Sequence, residues 1–176
     1  MRADPAPGYR IRPAAEPDVP LLPAIEASAA TLFAEAGAPL PEPTATMPPE
    51  ALDLCRASGT LWIAADAADT PVGFLAAGEL DGFLHVHELS VARAHQRRRL
   101  GTALMAAAID FGRWAFVPAM TLTTDRVLAW NKPFYAKLGF VELTIAGLPP
   151  GHAARHANEI AAGLDPARRC VMAKVL

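Results

Sequence analysis

The chain has 176 residues, of which 52% are hydrophobic and 19% are charged, and its formal net charge is −2. This composition is typical of a globular domain rather than a disordered chain, and the near-neutral charge argues against a nucleic-acid partner. No apolar run reaches the roughly eighteen residues that a membrane span needs, and the N-terminus lacks an apolar signal core. We therefore expect neither a nucleic-acid nor a membrane partner.

The hydrophobic pattern, followed in chain order, predicts one α/β domain over residues 1–176. Short turns between the three central strands favour an antiparallel meander within one central sheet. The predicted elements are a strand at 9–14, a helix starting near Pro20 or Pro23 and ended by Gly37, an extended loop at 35–50, a short helix at 48–59, strands at 60–66, 71–80 and 82–91, a helix at 100–116, a strand at 119–125, a short helix at 131–139, a strand at 140–146 and a last strand at 169–176.

Charge and cysteine are unevenly placed along this chain. No Lys or Arg occurs between Arg12 and Arg56, a span rich in Asp and Glu, whereas arginines crowd positions 93–99. Such a division indicates either two solvated surfaces or sites for ligands of opposite charge. The only cysteines, Cys55 and Cys170, are too few and too far apart for a disulfide framework. We expect free thiols and a cytoplasmic location.

The predicted strand "GFLHVHELSV" (82–91) carries two histidines where a strand usually buries aliphatic side chains. Strand alternation places His85, His87, Leu89 and Val91 on one face. Glu88 points to the other face, although a bulge would turn it inward. A His-x-His pair also suits a metal, but no third ligand has the required spacing, so no metal is expected.

The segment "VARAHQRRRLGTALM" leads from this strand into the long helix. A helix N-terminus presents unpaired N–H groups and a positive dipole end, and Gly101 lets a ligand approach the backbone closely. Thr102 lies in the first helical turn. The segment therefore predicts a phosphate-binding loop, although most turns of this composition bind nothing.

Two motifs together make the chain similar to the GNAT superfamily of acetyl-CoA-dependent N-acyltransferases. The loop "QRRRLG" (96–101) resembles that family's Gln/Arg-x-x-Gly-x-Gly/Ala, with Arg99 in place of the first glycine. "NKPFYAKLGF" (131–140) resembles its second signature, an Asn before a helix that carries a Tyr. The resemblance covers roughly residues 9–146. It implies a GNAT-like mixed, mostly antiparallel sheet flanked by helices, and acetyl-CoA as cofactor.

The resemblance also implies residue roles. "HVHELSV" is similar to a segment of arylalkylamine (serotonin) N-acetyltransferases, in which two histidines relay the amine proton and a tyrosine acts as acid. His85 and His87 would then be base or relay, Glu88 a rival base, and Tyr135 the acid. The implied cofactor contacts are Leu89, Val91, Gln96, Arg97, Arg98, Arg99, Leu100, Gly101, Thr102, Asn131 and Tyr135.

Several alternatives to these roles stay open. The strand histidines and Tyr135 could be structural, and Asn131 could be a helix N-cap. Arg99, expected at negative φ, either weakens pyrophosphate binding or compensates through its guanidinium. His152 and His156 fall in a Pro- and Gly-containing segment that is expected to be a surface loop.

The acceptor implied by the family and by the acidic span is a small cationic or aromatic primary amine. A protein or peptide N-acetyltransferase and a non-catalytic acyl-CoA-binding regulatory domain are the other candidates. Ala-rich helices and an exposed edge strand would permit a homodimer.

Overall fold

The computed structural model describes residues 4–38 and 46–176, so part of the predicted loop at 35–50 lies outside the described residues. Most predicted elements are confirmed at nearly the predicted bounds. The helices are α1 (Leu22–Glu35), α2 (Pro49–Ala57), α3 (Leu100–Trp114), α4 (Lys132–Lys137) and α5 (Pro150–Ala161). The strands are β1 (Arg10–Pro13), β2 (Leu61–Ala65), β3 (Pro71–Leu80), β4 (Phe83–Val91), β5 (Ala119–Asp125), β6 (Val141–Glu142) and β7 (Arg169–Val175).

The seven strands form one sheet in the order β1-β2-β3-β4-β5-β7-β6. Strands β4 and β5 pair in parallel, whereas β1–β2, β2–β3, β5–β7 and β6–β7 pair antiparallel. The predicted mixed, mostly antiparallel sheet is thereby confirmed. The strand predicted at 140–146 is only two residues long, because the chain turns into a 3₁₀ segment at Ile145–Gly147.

One compact unit contains the described residues up to Gly78 together with His87–Phe111. Alternate residues of β2 and β3 form its core with α1 and α2, because successive strand side chains point to opposite faces. The members of this core are Val19, Leu22, Ile25, Leu52, Cys55, Leu61, Ile63, Ala65, Phe74 and Ala76. Trp62, one residue out of phase with Ile63, instead packs edge-to-face on Phe111 of α3 at 5.5 Å.

The second compact unit contains Glu79–Val86 and Gly112–Leu176. Its strand β5 pairs with β7 along its whole length and with the first part of β4, where His85 lies opposite Thr121. Buried Met120 and Leu122 of β5 and Val171 and Met172 of β7 supply its core. Helix α5 belongs to this unit.

The segment predicted as a surface loop around His152 is helix α5, and that prediction is wrong. Pro150 occupies the first helical position, where its missing N–H costs nothing and its fixed φ suits a helix. Proline stands at the first or second position of α1, α2 and α4 as well. In this chain proline near an apolar pattern therefore marks helix starts.

Cys55 and Cys170 are buried free thiols, as expected. Within residues 4–38 and 46–176, no helix has the length and apolarity needed to cross a bilayer. In the same ranges, no three His, Cys, Asp or Glu side chains are grouped as a metal site would require.

Candidate active site

Strand β4 places its two histidines in different surroundings. His85 is completely buried, whereas His87, Glu88, Leu89 and Val91 are half-buried. The difference arises because the first part of β4 lies beside β5, whose Thr121 faces His85 in register. His87 is thus the strand histidine with access to solvent.

His85 is the inner end of a hydrogen-bonded chain of side chains. Its Nδ1 lies 2.9 Å from the Thr121 hydroxyl, which lies 2.8 Å from His152 Nε2. His152 Nδ1 lies 2.7 Å from Asp81 Oδ2 in the β3–β4 turn. His152 is 1% exposed and also contacts the His85 ring edge-to-face at 5.3 Å. The expectation that His152 is a surface residue is therefore wrong.

Asp81 fixes the start of α5 against the β3–β4 turn. Its carboxylate accepts hydrogen bonds from the backbone N–H groups of Gly151 and His152. The hydrogen bond with His152 holds the pKa of the Asp81 carboxyl below its ordinary value. A Cβ on Gly151 would stand 2.8 Å from both Asp81 oxygens, so this close approach requires glycine. The turn thereby aims His152 at Thr121.

His87 packs over Gly78 of the neighbouring strand β3. A Cβ on Gly78 would stand 2.6 Å from His87 Nε2, so the imidazole occupies the space that a side chain would fill. Gly78 is two residues from Ala76, a member of the core with α1, and therefore faces the same side of the sheet. This glycine leaves room for the Nε2 tip of the His87 ring on the α1 side.

Glu26 of α1 is a candidate site residue that the sequence patterns did not single out. Burial, reinforced by the nearby charge of Glu88, raises the pKa of the Glu26 carboxyl to about 7, although Met47 N–H donates to it at 2.9 Å. Ser90 Oγ donates to Glu88 at 2.7 Å. A carboxyl that titrates near neutral pH can exchange protons with a substrate or bind a cation. No spacing signal links Glu26 to a strand 62 residues away, so only the fold brings it to Glu88.

The predicted phosphate loop follows β4 in the first unit and ends where α3 begins at Leu100. Arg97 and Arg99 both have φ of 62°, in the left-handed region, so the expectation of a negative φ at Arg99 is wrong. Arg99 takes the backbone conformation that glycine would adopt more easily. Gln96 braces the loop by donating from Nε2 to the Val91 carbonyl at 3.1 Å.

The side chains of the three consecutive arginines are exposed. Arg98 lies over the Tyr9 ring at 5.7 Å, and its carbonyl accepts from Ala6 N–H. Tyr9 in turn bonds His95 Nδ1 at 3.0 Å. The loop therefore carries exposed cations next to the N-terminal turn of α3, where Gly101 and Thr102 lie. This is a donor set that suits an anionic ligand.

The second motif forms α4 in the other unit. Asn131 is the N-cap residue of α4, as the alternative prediction had it, but its side chain makes no capping hydrogen bond. Its carbonyl accepts from the N–H groups of Phe134 and Tyr135. Tyr135 is 8% exposed and packs edge-to-face on Phe134 and Phe140. The aromatic contacts fix the position of the phenol.

Comparison with known proteins adds two findings. The model of the Acetyltransferase (GNAT) family matches residues 29–140, well over half of the chain. Solved structures of several acetyltransferases share the fold. The N-acetylglutamate synthase from Neisseria gonorrhoeae, complexed with coenzyme A and N-acetyl-glutamate, is 18% identical with a TM-score of 0.68 over 96% of this chain, which spans only 35% of that protein.

Two further structures match over nearly their full length. The PaiA N-acetyltransferase from Thermoplasma acidophilum, in complex with coenzyme A, is 15% identical with a TM-score of 0.65, over 96% of this chain and 99% of that one. The ribosomal-protein-S18-alanine N-acetyltransferase from Escherichia coli is 17% identical with a TM-score of 0.63, over 95% and 93%. At these identities the likeness shows the shared fold.

Proposed function

This chain belongs to the GNAT family of acetyltransferases, and we propose that the acceptor of its acetyl group is a small primary amine, cationic or aromatic. The enzyme is an acetyl-CoA-dependent N-acyltransferase. The residues below are assigned roles in that reaction. The observation that carries the amine acceptor is the proximity of the Glu26 and Glu88 carboxyls. The loop between β4 and α3 has the conformation and charge that the anionic cofactor needs.

The loop from Gln96 to Thr102 is proposed to hold the pyrophosphate of the cofactor. The left-handed conformations of Arg97 and Arg99 let successive backbone N–H groups converge on one side, as in anion-binding nests. The first N–H groups of α3, from Leu100 onward, have no partner within the helix. Exposed guanidinium groups add positive charge beside these donors.

Acetyl-CoA supplies the acetyl group as a thioester. Residues of this chain have to remove a proton from the acceptor amine. An alkylammonium has to lose a proton before its nitrogen can attack. Half-buried His87 is the proposed base and fully buried His85 the proposed relay, with Glu88 as the rival base. Imidazole suits the task because its ordinary pKa lies near neutral pH.

The remaining roles follow the family pattern. Tyr135 is the proposed acid that protonates the departing thiolate, and its aromatic neighbours would hold the phenol in place. Asn131, whose side chain is not used as a cap, and the backbone of Leu89 and Val91 are the proposed contacts of the pantetheine arm.

The preference for an amine is argued from Glu26 and Glu88. Much of the acidic span is neutralised internally, since Asp18 pairs with Arg12 and Glu35 with Arg93. Glu26 instead lies near a second carboxyl, and a bound cation would relieve their repulsion. An ammonium group is the cation that this reaction supplies.

Two other functions are candidates, and the experiment described below distinguishes them from amine acetylation. Acetylation of a protein or peptide has support from fold alone, through relatives such as the ribosomal-protein-S18-alanine acetyltransferase. A non-catalytic acyl-CoA-binding domain was suggested by Arg99 in a glycine position. That reason weakens because Arg99 adopts the glycine-like φ.

The test is thiol release from acetyl-CoA across pH 6–9 with arylalkylamines, polyamines, aminoglycosides and a peptide. We expect turnover with one amine class and a loss of about 10²-fold or more in kcat for His87→Ala and Tyr135→Phe. His156→Ala is the matched control, since His156 lies on α5 and has no proposed role in proton transfer or cofactor binding. Turnover of the peptide alone would favour the protein acceptor. Binding of acetyl-CoA with no turnover of any acceptor would favour the regulatory domain.

A further inference from the structure

Four side chains of one compact unit form an unbroken hydrogen-bonded chain from the surface to the interior. Asp81 is exposed, His152 is 1% exposed, Thr121 is 3% exposed and His85 is fully buried. The three links measure 2.7, 2.8 and 2.9 Å. We call this chain the Asp81–His85 relay.

The charge state of Asp81 fixes the direction of every donor in the relay. Its carboxylate can only accept, so His152 Nδ1 carries the proton that it donates to Asp81. In neutral His152, Nε2 is then an acceptor, and the single proton of the Thr121 hydroxyl must be donated to it. The Thr121 oxygen is left to accept, so His85 Nδ1 is the donor. His85 Nε2 is therefore the basic nitrogen of the buried histidine.

From this direction we propose that the Asp81–His85 relay positions His85 with a basic Nε2 and conducts the proton released by acetyl transfer to solvent at Asp81. The inference rests on the proposed function, in which His85 relays the acceptor's proton. Its new content is the outer half of the path, Thr121, His152 and Asp81. These three are positioning and relay residues that no sequence motif marks.

The proton transfer balances along the relay. A proton that arrives at His85 Nε2 makes an imidazolium, whose Nδ1 proton passes to the Thr121 oxygen. The hydroxyl proton of Thr121 passes to His152 Nε2, and the Nδ1 proton of His152 passes to the Asp81 carboxylate. Exposed Asp81 gives a proton to water. His85 and His152 are then left with their protons on Nε2, so a flip of each imidazole ring, together with reorientation of the Thr121 hydroxyl, restores the starting tautomers. One proton leaves per turnover, as conversion of an ammonium and a thioester into an amide and a thiol requires.

The same contacts also have a purely structural use, because Asp81 binds the first N–H groups of α5. A purely structural use would give His85 the same tautomer, because the Asp81 carboxylate fixes the donors in either case. The tautomers of His85 and His152 therefore test the direction of the hydrogen bonds, and the kinetics of relay variants distinguish proton conduction from a tether.

The first measurement is a two-bond ¹H–¹⁵N correlation spectrum of histidine-labelled wild-type protein at pH 8. His85→Gln and His152→Gln assign the two signals among the five histidines. We expect both residues to carry the proton on Nδ1. A His85 that carries its proton on Nε2 would overturn the proposal.

The second measurement is kinetic and uses the amine found by the acceptor screen. Thr121→Val keeps the shape but removes the hydroxyl, and we expect kcat to fall roughly 10- to 100-fold with KM for the amine nearly unchanged. Thr121→Ser should restore most of the rate. Thr124→Val, a buried threonine of the same strand outside the relay, is the control. Asp81→Asn, which still offers an oxygen to α5 but no longer takes up a proton, should also lower kcat.

Equal kcat and equal pH profiles for wild type, Thr121→Val and Asp81→Asn would overturn the relay. The proposed function fails separately, if wild-type protein acetylates no amine. In that case the spectrum still decides the tautomers, because it needs no substrate.

Discussion

The imidazole of His87 lies over Gly78, with Nε2 2.6 Å from the point where a Cβ on Gly78 would stand. The position of the proposed base thus depends on the absence of a side chain on the neighbouring strand. The sequence around Gly78 does not predict this contact with His87. It makes Gly78 a direct probe of whether the place of His87 matters for catalysis.

Gly78→Ala should move the His87 ring while leaving the fold intact. The colliding atom belongs to a half-buried side chain that can rotate, so we expect a loss of about 1 kcal/mol or less in the free energy of unfolding. We expect kcat to fall by roughly 10-fold or more if His87 is the base. Urea unfolding and thiol-release kinetics measure the two effects.

Gly147→Ala is the control for that experiment, because a Cβ there meets nothing within 4 Å. It should match wild type in both measurements. A Gly78→Ala protein with wild-type kcat would argue that His87 does not act from its observed position.

Arg99 tests how much the loop depends on its left-handed backbone. Arg99→Gly and Arg99→Ala both remove the guanidinium, but only glycine adopts φ of 62° without strain. We expect Arg99→Gly to unfold with a free energy roughly 0.5–1 kcal/mol higher than Arg99→Ala. We also expect it to bind coenzyme A more tightly than Arg99→Ala.

Isothermal titration of coenzyme A into wild type and both variants separates charge from conformation. The difference between the variants reports the backbone, and the loss shared by both reports the guanidinium. Tighter binding by Arg99→Ala than by Arg99→Gly would contradict a role for the left-handed conformation.

Glu26 predicts a pH dependence of stability. Its pKa is about 7 in the folded protein against an ordinary value of 4.5, so the folded state holds the proton more tightly than the unfolded state. The stability that this provides is fully present below pH 4.5 and is lost as the pH rises through 7. Glu26→Gln, which stays neutral, should match wild type at pH 5 and exceed its free energy of unfolding at pH 8. The expected gain is roughly 1–2 kcal/mol, allowing for the partial exposure of Glu26.

Urea unfolding at the two pH values is the measurement, and Glu50→Gln on the exposed start of α2 is the control. Equal wild-type and Glu26→Gln stabilities at pH 8 would show that Glu26 titrates normally. A cationic amine that stabilises wild type more than Glu26→Gln would link this carboxyl to the acceptor.

Asp81 predicts the opposite pH dependence. Its pKa is lowered by His152, so its contribution to stability is present above the ordinary pKa of 3.8 and disappears as the pH falls below it. Asp81→Asn should therefore be less stable than wild type at pH 7. The difference should shrink as the pH falls below 3.8 and through the lowered pKa of the folded protein. An equal difference between their urea midpoints at pH 7 and at pH 3 would contradict a carboxylate that is stabilised by its hydrogen bond with His152.

The order of helices and strands was predictable because it depends on the local periodicity of apolar residues and on turn residues. The prediction of a loop at Pro149 and Pro150 was wrong, because Pro150 is the first residue of helix α5. The prediction of a negative φ at Arg99 was wrong as well. Residues with a side chain usually avoid left-handed φ, but the loop imposes this conformation on Arg99. Local preference is a weak constraint, and the surrounding structure overrides it at a turn.

The sequence by itself determined the alternation of strands and helices, the family motifs and the place of two histidines on one strand. Each of these depends on residues within a few positions of one another. Only the tertiary structure decided that His152 bonds Thr121 beside His85, and that Glu26 lies near Glu88. These pairs are separated by 31 and 62 positions in the chain. Burial and charge arise from packing between distant segments, so no local pattern records which carboxyl will titrate near pH 7 or which histidine will be enclosed.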